Sequence, residues 1–223
     1  MSNKPMTERE KTIIDNIVTN KIIAIIRGVD ENKIGMVVEA LIHGGINLVE
    51  ITFNQSDPNY DQSLAKQMIM IKKTFGDRVM VGAGTVMTVE QVNIAAAAHA
   101  DYIISPNTDV DIIRHTKELG LVSIPGAYTA SEIALAQCAG ADFVKVFPIS
   151  VCGEAYVKAI MTPLSHARLL AVGGIDESNI RNYLDAGCIG VGVGGKLVDN
   201  AKIEENKFDE IEETARRLVA SII

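Results

Sequence analysis

Short apolar runs rich in β-branched residues recur along the chain at intervals of roughly 20 to 30 residues, a period that marks a repeated supersecondary unit. They are IIAII from Ile22, LVEIT from Leu48, VMVGA from Val79, YIIS from Tyr102, LVSIP from Leu121, FVKVF from Phe143, LLAVG from Leu169 and IGVGV from Ile189. Each is almost continuously apolar, as a strand covered on both faces must be. Between them apolar residues take helical spacing, as in Met36-Val37-Ala40-Leu41 and Ile133-Ala134-Gln137-Cys138. Thr129 with Glu132, and Thr88 with Gln91, have the spacing of a capping box at a helix start. Gly45, Gly76, Gly120, Gly140 and Gly187 each stand shortly before a strand, where a helix ends in a left-handed residue.

The unit is strand, helix, glycine, strand. Eight such units predict a parallel sheet wrapped in helices, an α/β fold that closes into a (β/α)8 TIM barrel. An open doubly wound sheet gives the same local pattern, but eight evenly spaced strands favour closure. Thr7 to Thr19 predicts an additional N-terminal helix with Thr7 and Glu10 as its capping box, and Lys207 to Ile223 a closing amphipathic helix. No linker or change of composition divides the chain, so residues 1–223 read as one barrel domain. Asn54 to Gln67 reads as a long polar loop after the second strand.

Composition narrows the function classes. Apolar residues make up 48% and charged residues 22%, enough for a full core and inconsistent with intrinsic disorder. Twenty-eight acids against 21 bases give a net charge of -7, which argues against nucleic acid or an anionic membrane as partner. Trp is absent and aromatics are only 4%, so platforms for stacking bases are not expected. The run Ile22 to Ile26 is far short of the roughly 18 residues of a membrane span. The opening MSNKPMTEREK has no apolar signal core, and a cytoplasmic location is the expectation. Cys138, Cys152 and Cys188 form neither a disulfide framework nor a metal knuckle and are expected to pack as small hydrophobes, with Cys152 nearest the site described next.

Three charges interrupt three strands. Side chains alternate across a strand, so Arg27 shares a face with Ile23 and Ile25, Glu50 with Leu48 and Thr52, and Lys145 with Phe143 and Phe147. All three point to the barrel interior near strand C-termini, the end at which barrel active sites lie. Singly, each is a rim residue or half of a structural ion pair; three inward registers together point to a site, although a structural Lys145–Glu50 bridge also fits. Burial among aromatic and aliphatic neighbours disfavours the charged form of Lys145, and Arg27 acts in the same direction. A neutral amine is a nucleophile that forms a Schiff base with a ketone. Glu50 suits proton shuttling, Arg27 suits a substrate carboxylate, and Thr85 can add a hydroxyl to the same carboxylate.

Two glycine loops complete the pattern. VGG at Val172 to Gly174 and VGVGGK at Val191 to Lys196 follow the seventh and eighth strands, where backbone N–H groups often cradle a phosphate. Lys196 can add charge there. His43, His99, His115 and His166 fall in helical or loop stretches away from strand C-termini, so a zinc-dependent aldolase site is not expected. A lyase that splits a 2-keto-4-hydroxy acid ranks first. A phosphosugar isomerase or epimerase using Glu50 as base ranks second, and a non-catalytic metabolite-binding barrel third.

The segments IIAIIRG, GGINLVEIT, VGAGTV, PG with TASE, ADFVKVFP, VGGI and GVGVGG, in that order, cover most of the chain. Together they resemble the bacterial 2-keto-3-deoxy-6-phosphogluconate and 4-hydroxy-2-oxoglutarate aldolases and their phosphogalactonate relatives. The resemblance implies a class I pyruvate aldolase on a (β/α)8 barrel, a homotrimer without metal or cofactor, acting on a small keto acid. It makes Lys145 the Schiff-base lysine and Glu50 the acid and base. Arg27 and Thr85 become the carboxylate pair, Pro106, Gly126 and Phe147 pocket residues, and Gly173, Gly174, Gly194 and Gly195 the phosphate cradle. Three positions depart from the phosphogluconate pattern. Asn54 replaces an arginine and Val172 a threonine, both in the manner of the phosphogalactonate branch, and Gly195 replaces a serine of the phosphate loop.

Overall fold

The computed structural model describes residues 6–57 and 60–222. The first five residues, part of the opening read for a signal core, and Ile223, the end of the predicted closing helix, lie outside them. In chain order the elements are α1 (Glu8–Asn20), β1 (Ile22–Ile26), α2 (Ile34–His43), β2 (Leu48–Thr52), α3 (Tyr60–Phe75), β3 (Met80–Gly84), α4 (Val89–Ala97), β4 (Tyr102–Ile104), α5 (Val110–Glu118) and β5 (Val122–Ile124). They continue with β6 (Gly126–Ala127), α6 (Ala130–Ala139), β7 (Val144–Val146), α7 (Gly153–Met161), β8 (Leu169–Val172), α8 (Ile180–Asp185), β9 (Gly190–Val193), α9 (Asn200–Glu204) and α10 (Phe208–Ala220).

All strand pairs are parallel, in the order β5-β4-β3-β2-β1-β9-β8-β7-β6. This is the TIM-barrel architecture with one difference: a short additional strand, β6, follows the predicted fifth strand beyond Pro125. Pro125 separates β5 from β6, because proline has no N–H to donate to a ladder. The carbonyls on either side of the break alternate between the two neighbours, and Ser123 already accepts from the Asp142 N–H (3.0 Å) on the β7 side. The Ile124 carbonyl accepts from Ser105 N–H on the β4 side (3.3 Å), and the Pro125 carbonyl accepts from Lys145 N–H on the β7 side (2.9 Å). The segment from Val122 to Ala127 thus bonds to both ends of the sheet and brings them together into the barrel.

Two apolar layers follow from the alternation. Ile22, Ala24, Ile26, Val49, Ile51, Val81, Ala83, Val144 and Val146 belong to the layer between strands and helices. Ile23, Leu48, Tyr102, Ile104, Val122, Ile124, Phe143 and Leu170 fill the barrel interior. Ile13, Ile14 and Ile17 of α1 join the interior layer and plug the N-terminal end of the barrel. Each isoleucine so buried contributes about 2–3 kcal/mol. Charges tie the plug down. Lys117 Nζ bonds Glu10 (2.8 Å) and Asp142 (2.7 Å), and Asp101 takes Arg9 (3.1 Å), the Val81 N–H (2.8 Å) and Lys72.

The local signals behave as their chemistry requires. Thr7–Glu10 and Thr129–Glu132 are complete capping boxes. Thr88 accepts from Gln91 N–H, but the Gln91 side chain accepts from Met87 N–H (2.8 Å), so that box closes one residue early. The five helix-ending glycines all have positive φ. Three expectations need correction. Met36 is 41% exposed, and the buried stripe of α2 is Ile34, Val37, Val38, Ala40 and Leu41. Cys138 is exposed, because the buried face of α6 is Ile133 and Ala136. The expected loop from Asn54 to Gln67 ends where α3 begins. Leu64, Met68, Ile71 and Phe75 bury one side of that helix, and Gln67 itself is buried, its amide donating to the Val29 carbonyl (3.2 Å). Among the described residues no helix is long and apolar enough to cross a membrane.

Candidate active site

The C-terminal mouth of the barrel collects the charges that the strand registers predict. Glu50 on β2 is 2% exposed and Lys145 on β7 is 6% exposed, with Phe143 buried beneath. The Lys145 ammonium position lies 5.0 Å from the centre of the Phe147 ring. Among the described residues no ion pair or hydrogen bond joins Lys145 to Glu50, and the structural bridge does not form. The two groups still act on each other through space. Burial pushes the Lys145 amine below its ordinary range, and Arg27 adds to that against the opposing pull of Glu50. Burial likewise holds the Glu50 carboxyl above its ordinary range, against the pull of Lys145 and Arg27. Burial in the mouth therefore works against the charged form of both groups.

Arg27, at the end of β1, is exposed, and its Nη2 donates to Thr85 Oγ1 (3.0 Å). Thr85 has φ of +56°, an outlier for a β-branched residue, which costs about 1–3 kcal/mol. That conformation presents its hydroxyl to the guanidinium. Beneath them Tyr102 forms the floor. Its ring occupies the space a side chain on Gly82 would take, and its hydroxyl donates to the Val49 carbonyl (2.7 Å).

Pro106 and Gly126 touch each other. A Cβ on Gly126 would lie 2.3 Å from the Pro106 carbonyl oxygen, so glycine here lets the loop after β4 approach β6. Phe147, 37% exposed, links the lysine to the glycine loops, since its ring edge lies 3.4 Å from the Cβ position of Gly173. Gly173 (φ +102°) and Gly174 (φ +76°) both use left-handed backbone. Gly194 and Gly195 open the turn after β9, and nothing lies within 4 Å of the Cβ position of Gly195. Lys196 lies near enough to Asp176 to help hold that carboxyl below its ordinary range, after the Ser178 hydrogen bond.

Three residues of this region escape the sequence reading. Ser150 packs on Gly174, its Oγ 3.0 Å from the Cβ position there. Gly84 on β3 backs the Glu50 carboxyl. Thr52, on the same face of β2 as Glu50, has a buried hydroxyl without a hydrogen-bond partner among the described residues. The alternating glycines of VGAGT are the sequence trace of this crowding, since they clear the inward face of β3. Cys152 is drawn into a tyrosine cluster instead: its Sγ is 2.7 Å from the Tyr128 hydroxyl, and Tyr156 donates to the Tyr128 carbonyl. Among the described residues no group of three or more His, Cys, Asp or Glu side chains is placed to hold a metal ion.

Known proteins resemble this chain in sequence and in fold. The family model described as KDPG and KHG aldolase matches residues 13–214. The 2-dehydro-3-deoxy-6-phosphogalactonate aldolase of Escherichia coli K12 is 37% identical over 177 residues, covering 79% of this chain and 83% of that protein. The 2-dehydro-3-deoxy-phosphogluconate aldolase of Haemophilus influenzae is 27% identical over 215 residues, 96% and 98% of the two chains. Among solved structures, a KDPG aldolase from Legionella pneumophila with pyruvate captured as a covalent carbinolamine superposes with a TM-score of 0.83 at 26% identity, covering 95% of this chain and 98% of that one. The native KDPGal structure gives 0.81 at 33% identity, covering 90% and 93%. With its barrel, its buried amine and this breadth of match, the chain belongs to the KDPG and KHG aldolase family of class I aldolases.

Proposed function

We propose that Lys145 is the Schiff-base lysine, Glu50 the acid and base, and Arg27 with Thr85 the carboxylate clamp of an aldolase that cleaves a 2-keto-4-hydroxy acid to pyruvate and an aldehyde. The observation that carries this reading is the opposed burial of the pair. Lys145 is held below its usual range and Glu50 above it, with no ion pair between them.

The neutral amine attacks the C2 carbonyl. Protonated Glu50 gives its proton to the carbinolamine hydroxyl, which leaves as water and produces an iminium on Lys145. Glu50, now a carboxylate, takes the proton of the C4 hydroxyl. The C3–C4 bond breaks, its electrons pass to the iminium, and the aldehyde departs. Glu50 returns that proton to C3 of the enamine, and water adds to the resulting iminium and releases pyruvate from Lys145, with Glu50 taking up the proton that the water gives. Arg27 and Thr85 orient the substrate by its carboxylate, as the planar guanidinium fork permits. Gly173, Gly174, Gly194 and Gly195 offer backbone N–H groups to a terminal phosphate. Ser150 supplies a hydroxyl beside Gly174, a substitute for the one Gly195 lacks. Pro106, Gly126 and Phe147 shape the wall.

Asn54 and Val172 favour the phosphogalactonate epimer as substrate, in line with the 37% identity to a phosphogalactonate aldolase. The same reading takes the protein as a cytoplasmic homotrimer, on the strength of the family likeness. Turnover on the two phosphorylated epimers and on 4-hydroxy-2-oxoglutarate tests the assignment. The phosphogalactonate compound is expected to give the highest kcat/KM, and release of pyruvate from none of the three would overturn it.

A further inference from the structure

Glycine in a strand interior weakens the strand, so a buried one needs a reason. Several glycines of this chain have a backbone reason: Gly28, Gly76, Gly120 and Gly153 have positive φ and nothing within 4 Å of the Cβ position. Gly84 is the opposite case. It lies in β3, paired with Thr52 of β2, outside the left-handed region. A Cβ placed on it would stand 1.7 Å from Glu50 Oε1, 2.3 Å from Cδ and 2.4 Å from Cγ. The three atoms nearest that position all belong to the Glu50 side chain.

We propose that Gly84 is a positioning residue: the recess left by its missing side chain seats the Glu50 carboxyl where it faces the Lys145-bound substrate. The inference rests on the reading of Glu50 as acid and base. The recess determines where the acid stands without touching substrate. Thr52, across from Gly84, adds to the same part of the barrel a buried hydroxyl without a partner among the described residues. The atoms an alanine would strike belong to the end of a flexible side chain, so the fold can accept it while the carboxyl cannot stay. Ordinary contact begins at 3.4 Å, against 1.7 Å here. A catalytic group displaced by about 1 Å can lose about 100-fold in rate.

The test is a double-mutant cycle on kcat, with thermal midpoint and endpoint trapping of pyruvate on Lys145 by borohydride read in parallel. Gly84→Ala is expected to lower kcat by about 10- to 100-fold while the midpoint and the trapping endpoint stay at the parent values. In a Glu50→Ala background, which lacks the Cγ, Cδ and Oε1 atoms that meet the Gly84 position, the same alanine is expected to change the residual kcat by no more than about twofold. Parent-like kcat in Gly84→Ala would overturn the proposal. Equal fractional losses in both backgrounds would overturn it too, as would loss of folding in both, which would place the requirement for glycine in the backbone. Full activity in Glu50→Gln would instead sink the reading of Glu50 itself. A Glu50→Gln enzyme that fails beside an unimpaired Gly84→Ala enzyme would sink only the proposal.

Discussion

The two ends of the barrel use the same chemical groups in opposite ways. At the N-terminal end Lys117 sits between Glu10 and Asp142, at 2.8 and 2.7 Å. Burial alone would pull its amine down, but the two carboxylates outweigh it and leave the pKa raised. At the C-terminal mouth Lys145 has the Glu50 carboxyl nearby yet, among the described residues, no ion pair, and burial leaves its pKa lowered. The first lysine is spent on holding α1 under the barrel. The second is kept desolvated and available. A buried charge with its partners in contact is a fastening, and one whose partner is set back leaves room for a substrate.

The largest effects that could break this contrast come from removing each lysine in turn. Lys145→Met is expected to lower kcat by about 10⁴-fold or more while leaving the thermal midpoint unchanged or higher, since a methionine suits a dry site better than an amine does. Lys117→Met is expected to do the reverse. It should cost about 2 kcal/mol of stability by leaving two carboxylates without their cation, and change kcat by less than about threefold. A fall in midpoint for Lys145→Met comparable to that for Lys117→Met would make both lysines fastenings.

The pH dependence of stability sharpens the comparison further. Between the lowered pKa of Lys145 and 10.5, the unfolded chain carries a proton that the native protein lacks, so this group makes stability rise with pH through that window. Any stability gained by Lys145→Met should therefore shrink as pH approaches the ordinary lysine range. For Lys117 the sign is opposite. Its contribution is complete below 10.5 and is lost as pH rises through the raised native value, so the deficit of Lys117→Met should fade only in strong alkali. Chemical denaturation of the parent and both variants between neutral and alkaline pH reads both slopes, and slopes of the same sign would contradict the assignment. The smallest effect expected is in the phosphate cradle. Ser150→Ala should raise KM for a phosphorylated substrate by about 3- to 10-fold, one hydrogen bond's worth, and leave 4-hydroxy-2-oxoglutarate unaffected.

Much of this was legible in the chain because it depends on periods. Alternation along IIAII, LVEIT and FVKVF placed Arg27, Glu50 and Lys145 inward, and the two apolar layers bear out that register. Capping boxes and terminal glycines are local chemistry and were readable for the same reason. What escaped depends on the neighbour across the barrel. Pro125 looked like the end of one strand, and the continuation into β6 becomes visible only in the bonds that the Lys145 and Phe147 N–H groups give to the carbonyls of Pro125 and Ala127. The polar residues from Asn54 to Gln67 masked the first turns of α3, whose apolar stripe starts at Leu64. Gly84 carries no chemistry of its own, and nothing in the chain around Ser150 marks its hydroxyl. Their meaning lies in Glu50 and Gly174, which approach them from other strands and loops.

The central claim is that the desolvated amine of Lys145 attacks a keto acid, and trapping tests it most directly. The full-length protein is incubated with pyruvate and borohydride, and the adduct is located by peptide mass mapping. The account predicts one reduced pyruvate per chain, on Lys145, with activity lost in step. An unmodified protein that keeps turning over, or an adduct on any other lysine, would contradict it.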